Sequence, residues 1–386
     1  MSRQNPLSSK TSSRAKPQQS ESCKSSANKS GEAKTRRQAL TSLGAMLGGS
    51  IAASAFPGLV SPLRAAEPAP QDRKIQDTIR RGLEWIVKTQ SRLGHWEASG
   101  SYRVPMTALA GIALTCEGST TTQGKYSAAI RRATDYIISR ARPNGLIGEP
   151  EDARYTYGHG FSLLFLSQVL GEEEDEDRRE TLMDVLSRGV EFTGQAQTPA
   201  GGWGYVSARD GNNFDEGSTT VTQVQGLRGC RNSGVTVPKD IIDKAIKYIY
   251  DCQMPDGGIC YSSNNRSGSR PAITAAAIAC LFNAGEYDGE RVQKLIKYCK
   301  SQLYDSVRTG RNSFGHWHYA YYYYSQAVYR QGGQLWDDYK DVLYPKLQTE
   351  QSNEGSWSGN IGPIYVTSLN LTMLQLENEF LPIYQR

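Results

Sequence analysis

The sequence predicts an all-α fold of six helical hairpins set in an inner and an outer helix ring, an (α/α)6 toroid. Three observations carry this expectation. A glycine-bearing turn recurs six times, its anchor glycines 40 to 57 residues apart, which marks an array of supersecondary units. The segment ahead of each turn is apolar on one face and charged on the other. The segment after it is apolar nearly all round, as befits a helix buried on every side.

The turns read QSRLGHW (90–96), RPNGLIG (142–148), QTPAGGWGY (197–205), QMPDGGICY (253–261), NSFGHWHY (312–319) and QSNEGSWSG (351–359). Their anchors are Gly94, Gly145, Gly202, Gly258, Gly315 and Gly355. Before the fourth turn, KDIIDKAIKYIYDCQ places Ile242, Ala245, Ile249 and Cys252 on one face, with lysines and aspartates opposite. After it, AITAAAIACLF is apolar nearly all round. The six inner helices are expected near 106–114, 159–170, 219–231, 272–283, 319–330 and 366–377. Gly118, Gly171, Gly234, Gly285 and Gly332 are candidate C-caps. No run of strands is expected.

Residues 1–66 are set apart. Positions 1–34 are rich in Ser, Lys, Gln and Asn and short of large apolar side chains, a composition that disfavours folding. Arg36 and Arg37 then precede a weakly apolar Gly/Ala-rich run that closes at Arg64-Ala65-Ala66. This reads as a twin-arginine export signal cleaved just after Ala65 or Ala66, with the toroid over 67–386 in the periplasm or another extracytoplasmic space. Glycines and Pro57 interrupt the run, against a stable membrane span. The leader carries ten Lys/Arg and two acids, so the remainder has 34 basic against 37 acidic residues, a net charge of −3. The basic balance of the whole chain belongs to its leader, and nothing points to nucleic acid. Cys116, Cys230, Cys252, Cys260, Cys280 and Cys299 include no CxxC pair, against a zinc finger. Most read as buried free thiols.

The stretch GGWGYVSARDGNNFDEGSTTVTQVQGL (201–227) resembles the QW-type repeat of squalene/hopene cyclases and protein prenyltransferase β subunits, with Ser218, Thr219 and Gln223 matching its Ser-Thr-x-x-x-Gln inner helix. The resemblance covers about 72–386 and implies a toroid with a central cavity. The ending LENEFLPIYQR resembles those of exported bacterial members.

The chemistry of those families is not found. Prenyltransferases hold zinc with an Asp-x-Cys pair and a later histidine; here the pair's position reads SRPAIT (269–274), and only His318 resembles a ligand. One ligand does not make a zinc site, so neither metal nor another cofactor is expected. The cyclases' Asp-x-Asp-Asp acid is absent from the sequence. Asp215, Glu216 and His318 are weak catalytic candidates, and Asp215 and Glu216 can equally start an inner helix. EEEDED (172–177) reads as a solvated charge run.

Two features suggest a ligand. In HWHYAYYYYSQ, Tyr321 to Tyr324 occupy consecutive helical positions and face nearly every direction. Arginines also precede five inner helices, at Arg103, Arg154, Arg209, Arg270 and Arg311, with His95, His159, His316 and His318 near the same turns. Helix N-termini attract anions, and arginine forks bind carboxylate or phosphate; ordinary pairing with Glu97, Glu149, Asp152, Asp210 and Asp215 is the competing reading. The candidate ligand-binding residues are Arg154, His159, Arg270, His316, His318, Tyr319, Tyr322 and Tyr323. The expected function is an exported toroid that binds a hydrophobic or anionic amphiphilic ligand, such as an isoprenoid or lipid, or a protein partner, without the usual catalytic groups. The alternative is a terpenoid cyclase or prenyltransferase-type enzyme with a divergent site. Oligomeric state is left open.

Overall fold

The computed structural model describes residues 70–149, 151–211, 213–309 and 316–385. The leader with Arg36 and Arg37, and also Arg311 and Gly315, lie outside these residues.

The inner ring is built from α2 (Arg103–Thr115), α4 (Tyr155–Leu170), α6 (Gly217–Asn232), α8 (Pro271–Ala284), α11 (Trp317–Gln331) and α13 (Pro363–Leu374). Each packs on the next, and α13 closes onto α2. The outer ring comprises α1 (Pro70–Thr89), α3 (Ser127–Ser139), α5 (Glu176–Ala196), α7 (Lys239–Asp251), α9 (Glu290–Cys299) with its continuation α10 (Asp305–Thr309), and α12 (Gly333–Glu350). A π-turn at Lys300–Tyr304 joins α9 to α10. Only isolated β-bridges, and no strands, occur among the described residues.

The inner helices are buried along almost their whole length, as in α8 from Ile273 to Asn283. Outer helices bury one face. In α7 that face is Ile241, Ala245, Tyr248 and Ile249; Ile242 is only half-buried, one step off the expected stripe. The expected sixth inner helix, 366–377, instead begins at Pro363 and ends at Leu374. Gln375 reaches across to the Ala113 carbonyl at 3.1 Å, and a 3₁₀ turn at Leu376–Asn378 leads the chain away.

Among the described residues, four turns latch their repeat to the next through a glutamine. The Gln197 amide donates to Gly201 O and to Ile241 O at the start of α7, both at 2.9 Å. Gln90, Gln253 and Gln351 repeat the pattern onto α3, α9 and α1. The left-handed glycines are Gly94, Gly145, Gly201, Gly257 and Gly355. In the two Gly-Gly turns the anchor is therefore the first glycine, one residue before Gly202 and Gly258. A Cβ at Gly201 would sit 2.3 Å from the Lys244 carbonyl of α7, so the latch requires glycine twice, for its φ and for its lack of a side chain. Trp96, Trp203 and Trp357 donate their indole N–H to the outer helix ten residues back, at 2.7–2.8 Å.

The acidic run is not wholly solvated. Glu173 is buried and accepts from the Thr121 hydroxyl at 2.8 Å, while Asp175 caps α5 through the Arg178 N–H at 3.0 Å. A carboxylate ahead of a helix satisfies otherwise unpaired amides.

Candidate functional site

Gly160 lies against Thr222, Gly226 against Leu163 and Gly229 against Ser167, so α4 and α6 run parallel and in close contact. With a return through the outer ring between them, the inner helices start on one rim, the N-terminal mouth.

Glu216 caps α6 at this mouth. Its carboxylate accepts from Thr219 N–H at 2.7 Å, Ser218 N–H at 3.0 Å, Ser218 Oγ at 2.6 Å and Tyr157 Oη at 3.0 Å. Asp215 points the other way. It accepts from Tyr248 Oη at 2.9 Å, Ser262 Oγ at 3.1 Å, and Ser263 N–H and Oγ at 2.9 and 2.7 Å. Both carboxylates are fully buried, and their hydrogen bonds hold helix and loop.

Two hydrogen bonds cross the lumen between α6 and α11, which are not neighbours in the ring. Tyr319 Oη donates to Ser218 O at 2.9 Å, and Gln225 Nε2 to Gln326 Oε1 at 2.7 Å. Between these levels stands a column of buried tyrosines. Tyr319 packs edge-on to Tyr323 at 4.7 Å, and Tyr322 to Tyr323 at 4.8 Å. Tyr322 meets Tyr384 of the C-terminal segment, hydroxyl to hydroxyl at 2.8 Å. Tyr365 of α13 is buried beside Tyr322. Burial pushes the phenols of the column far above their ordinary range, so they stay neutral. Tyr321 and Tyr324 turn outward, to Trp317 and to Tyr339. The lumen implied to be a cavity is thus bridged by side chains at two levels.

The C-terminal segment closes the opposite rim. Arg330 donates to Ile383 O at 3.1 Å and Gln385 O at 3.0 Å, and Asn378 to Cys116 O at 3.1 Å. The cavity left between this segment, α8 and α11 is about 10 Å³.

The four described arginines of the five do not converge. Arg103 pairs with Glu97 at 3.0 Å, Arg209 donates to Gln195 at 2.8 Å, and Arg270 is exposed near Tyr298. Only Arg154 faces aromatic groups at the mouth. Its guanidinium lies 4.6 Å over the Tyr205 ring, and no carboxylate among the described residues forms an ion pair with it. Beside it opens a cleft of about 340 Å³, lined by Ala153, Tyr205, Ser207, Ala208, Asn213 and Phe214. Tyr205 lies 5.9 Å from Tyr157 and 5.6 Å from Phe214, and its hydroxyl meets that of Tyr261.

The histidines are dispersed. His159 is fully buried; its Nδ1 accepts the Ile147 N–H at 3.1 Å, so the ring proton is on Nε2, shared between Gly189 O at 3.2 Å and Thr193 Oγ1 at 2.9 Å. Thr107, Thr220, Thr274 and Thr367 accept the matching turn N–H in other repeats. His159 therefore does a turn-latching threonine's work, with its ring facing the outer helix α5. Burial lowers its pKa to about 4. His318 is buried beside Asn370, stacked on Trp317, and also lowered to about 4 by burial. His316 is exposed, with a left-handed backbone ahead of α11. Among the described residues no three His, Cys, Asp or Glu gather as a metal would need.

Sequence reasoning missed Tyr157, Tyr205, Phe214, Tyr261, Tyr365 and Tyr384. Tyr205 and Tyr261 each follow the left-handed glycine by four residues, and their carbonyls receive the Thr156 and Gly217 N–H, so repeat register could have found them.

The fold is an (α/α)6 helical toroid, with its inner helices starting at one mouth. Residues 166–336 match the family model described as the squalene-hopene cyclase C-terminal domain, and the resemblance read from the 201–227 stretch stands on that span. No curated protein matches the chain. Among solved structures, a variant of type II terpene cyclase MstE from Scytonema in complex with geranylgeranyl dihydroxybenzoate is similar with 13% identity and a TM-score of 0.56, over 81% of this chain and 99% of that one. An inactive variant of the α-1,6-mannanase GH76A of Salegentibacter sp. HEL1_6 is similar with 11% identity and a TM-score of 0.58, over 78% and 98%. At such identities these likenesses speak for the fold.

Proposed function

We propose that the protein is an exported binding toroid that holds an anionic amphiphile, such as an isoprenoid or lipid carboxylate, at the cleft beside Arg154 and does not transform it. The observation that carries this reading is Arg154 itself. It makes no direct ion pair among the described residues, though the Asp152 carboxylate lies within electrostatic reach, and it is stacked on Tyr205 at the edge of a cleft of about 340 Å³ that Tyr205, Phe214, small residues, Ser207 and Asn213 line, within the volume range of small-molecule sites. The carboxylate would take the guanidinium fork and the apolar tail the faces of Tyr205 and Phe214. The anionic isoprenoid bound by the cyclase MstE supports the ligand class. The cross-lumen hydrogen bonds and the missing Asp-x-Asp-Asp run support binding without turnover. Export rests on Arg36-Arg37 and the Gly/Ala-rich run alone.

Titration with dodecanoate and with a geranylgeranyl-bearing benzoate tests the reading. Binding should weaken with salt, and Arg154→Ala should cost about 1.5–3 kcal/mol of affinity. Equal affinity in wild type and Arg154→Ala would refute it. A protein partner in place of the amphiphile would appear as no binding of either probe.

The enzyme reading rests on one observation, the buried Glu216 carboxylate held by the half-buried Tyr157 and Ser218 at the mouth. Cyclised product from a polyprene substrate, lost in Glu216→Gln with the fold retained, would establish it.

A further inference from the structure

Two of the six buried cysteines face one another across the fourth turn. Gln253 and Ile259 form an antiparallel bridge, so the next residues outward, Cys252 and Cys260, stand directly opposite. Cys260 N–H donates to Cys252 O at 3.1 Å, and Met254 N–H to Gly258 O at 2.8 Å. Cys252 is the C-cap of α7 and gives its own N–H to Tyr248 O, so one backbone hydrogen bond, not a full ladder pair, holds the two residues side by side, within the reach that a disulfide needs. Both side chains are buried, and the two thiols interact directly.

We propose that Cys252 and Cys260 are a redox pair that closes to a disulfide and locks the fourth turn. The step needs a small disulfide oxidant of the oxidised-glutathione class. Cys252 loses its proton to solvent and its thiolate attacks one glutathione sulfur, breaking that S–S bond and releasing one glutathione thiolate. Cys260 then loses its proton, attacks the Cys252 sulfur of the mixed disulfide and displaces the second glutathione. Two protein thiols are oxidised, and one glutathione disulfide is reduced to two thiols.

Burial, the nearby Cys260 thiol and the Asp215 carboxylate push the Cys252 thiol up to about 12, against the Tyr248 hydroxyl that lowers it. Exchange in the closed protein is therefore slow and proceeds through opening of the turn. The lock would reach the mouth. Tyr261 follows Cys260 directly and holds Tyr205, while Asp215, next to the α6 cap, holds Ser262 and Ser263. This proposal stands apart from ligand identity.

The test has two arms. Folded, reduced protein is incubated with oxidised glutathione at pH 8, and a second sample is unfolded and refolded in a glutathione redox buffer. Both are quenched in acid, then unfolded and alkylated with N-ethylmaleimide. Trypsin releases 248–266, between Lys247 and Arg266, with both cysteines in one peptide. The expected product in the refolding arm is this peptide unalkylated and two hydrogens lighter. The oxidised protein should melt at a higher temperature, a gain abolished in Cys260→Ser. Slow conversion of the folded sample supports burial as the brake. If the refolded peptide takes two alkyl groups, or one glutathione on each cysteine, the proposal is overturned.

Discussion

Gln225 of α6 and Gln326 of α11 meet across the ring at 2.7 Å, and Gln326 in turn donates to Tyr322 O at 3.1 Å. Both amides are buried, so the pair is a strut that ties α6 to α11 past the intervening α8. Gln225→Ala should leave the Gln326 carbonyl oxygen buried and unpaired, at about 1–3 kcal/mol. Urea unfolding checks this. The Gln225→Leu/Gln326→Leu double variant should be less destabilised than the sum of its singles; strict additivity would show that the bond is not shared.

The glycine latch separates two costs. Gly201 and Gly234 have φ of 98° and 92°, but a Cβ meets the Lys244 carbonyl at 2.3 Å only at Gly201. Gly234→Ala should cost about 1–2 kcal/mol, the backbone penalty alone. Gly201→Ala should cost more, because helix α7 must move. Equal melting temperatures for the two variants would contradict the latch.

His159 and His318 are held near pKa 4 by burial, below the ordinary histidine value. The unfolded chain takes up these protons first, so their contribution to stability is complete above about pH 6.5 and is lost as pH falls through 4. The loss approaches about 3 kcal/mol for each. His159→Gln, though less stable at pH 7, should lose less between pH 6.5 and 4.5 in urea titrations than the wild type does. Parallel pH curves would remove His159 as a cause.

Export is checked in the full chain. Lysine at both Arg36 and Arg37 should block translocation, since the pair is read by a receptor. Unchanged extracytoplasmic accumulation of the double variant would discard the signal.

The repeat was legible because turn chemistry and helix burial leave a periodic trace. Gln and Trp recur for the hydrogen bonds each makes and Gly for its positive φ and missing side chain, and nearly all-apolar segments such as 272–282 read as inner helices. The register at Gly201 and Gly257 was not legible, since either glycine of a pair can take positive φ. The arginines share a sequence position, yet Arg103 and Arg209 are drawn off by Glu97 and Gln195. His159 looked like a ligand residue because its threonine counterparts differ in type. The column escaped because Tyr157, Tyr365 and Tyr384 come from three separate segments, and only the closed ring brings them to Tyr319–Tyr323.

The sixth turn docks on the first outer helix as the first, third and fourth dock on their successors: Gln351 donates to Thr78 O at 2.9 Å, and Arg81 to Ser352 O at 2.7 Å. An open solenoid can fray from either end, repeat by repeat, because each unit touches only its neighbours. Here the last unit is the first one's neighbour, so no repeat is terminal. The final contacts join residues about 270 positions apart, and such non-local closure is slow to find. Unfolding should consequently be all-or-none, with a folding rate set by the meeting of the two ends of the helical array.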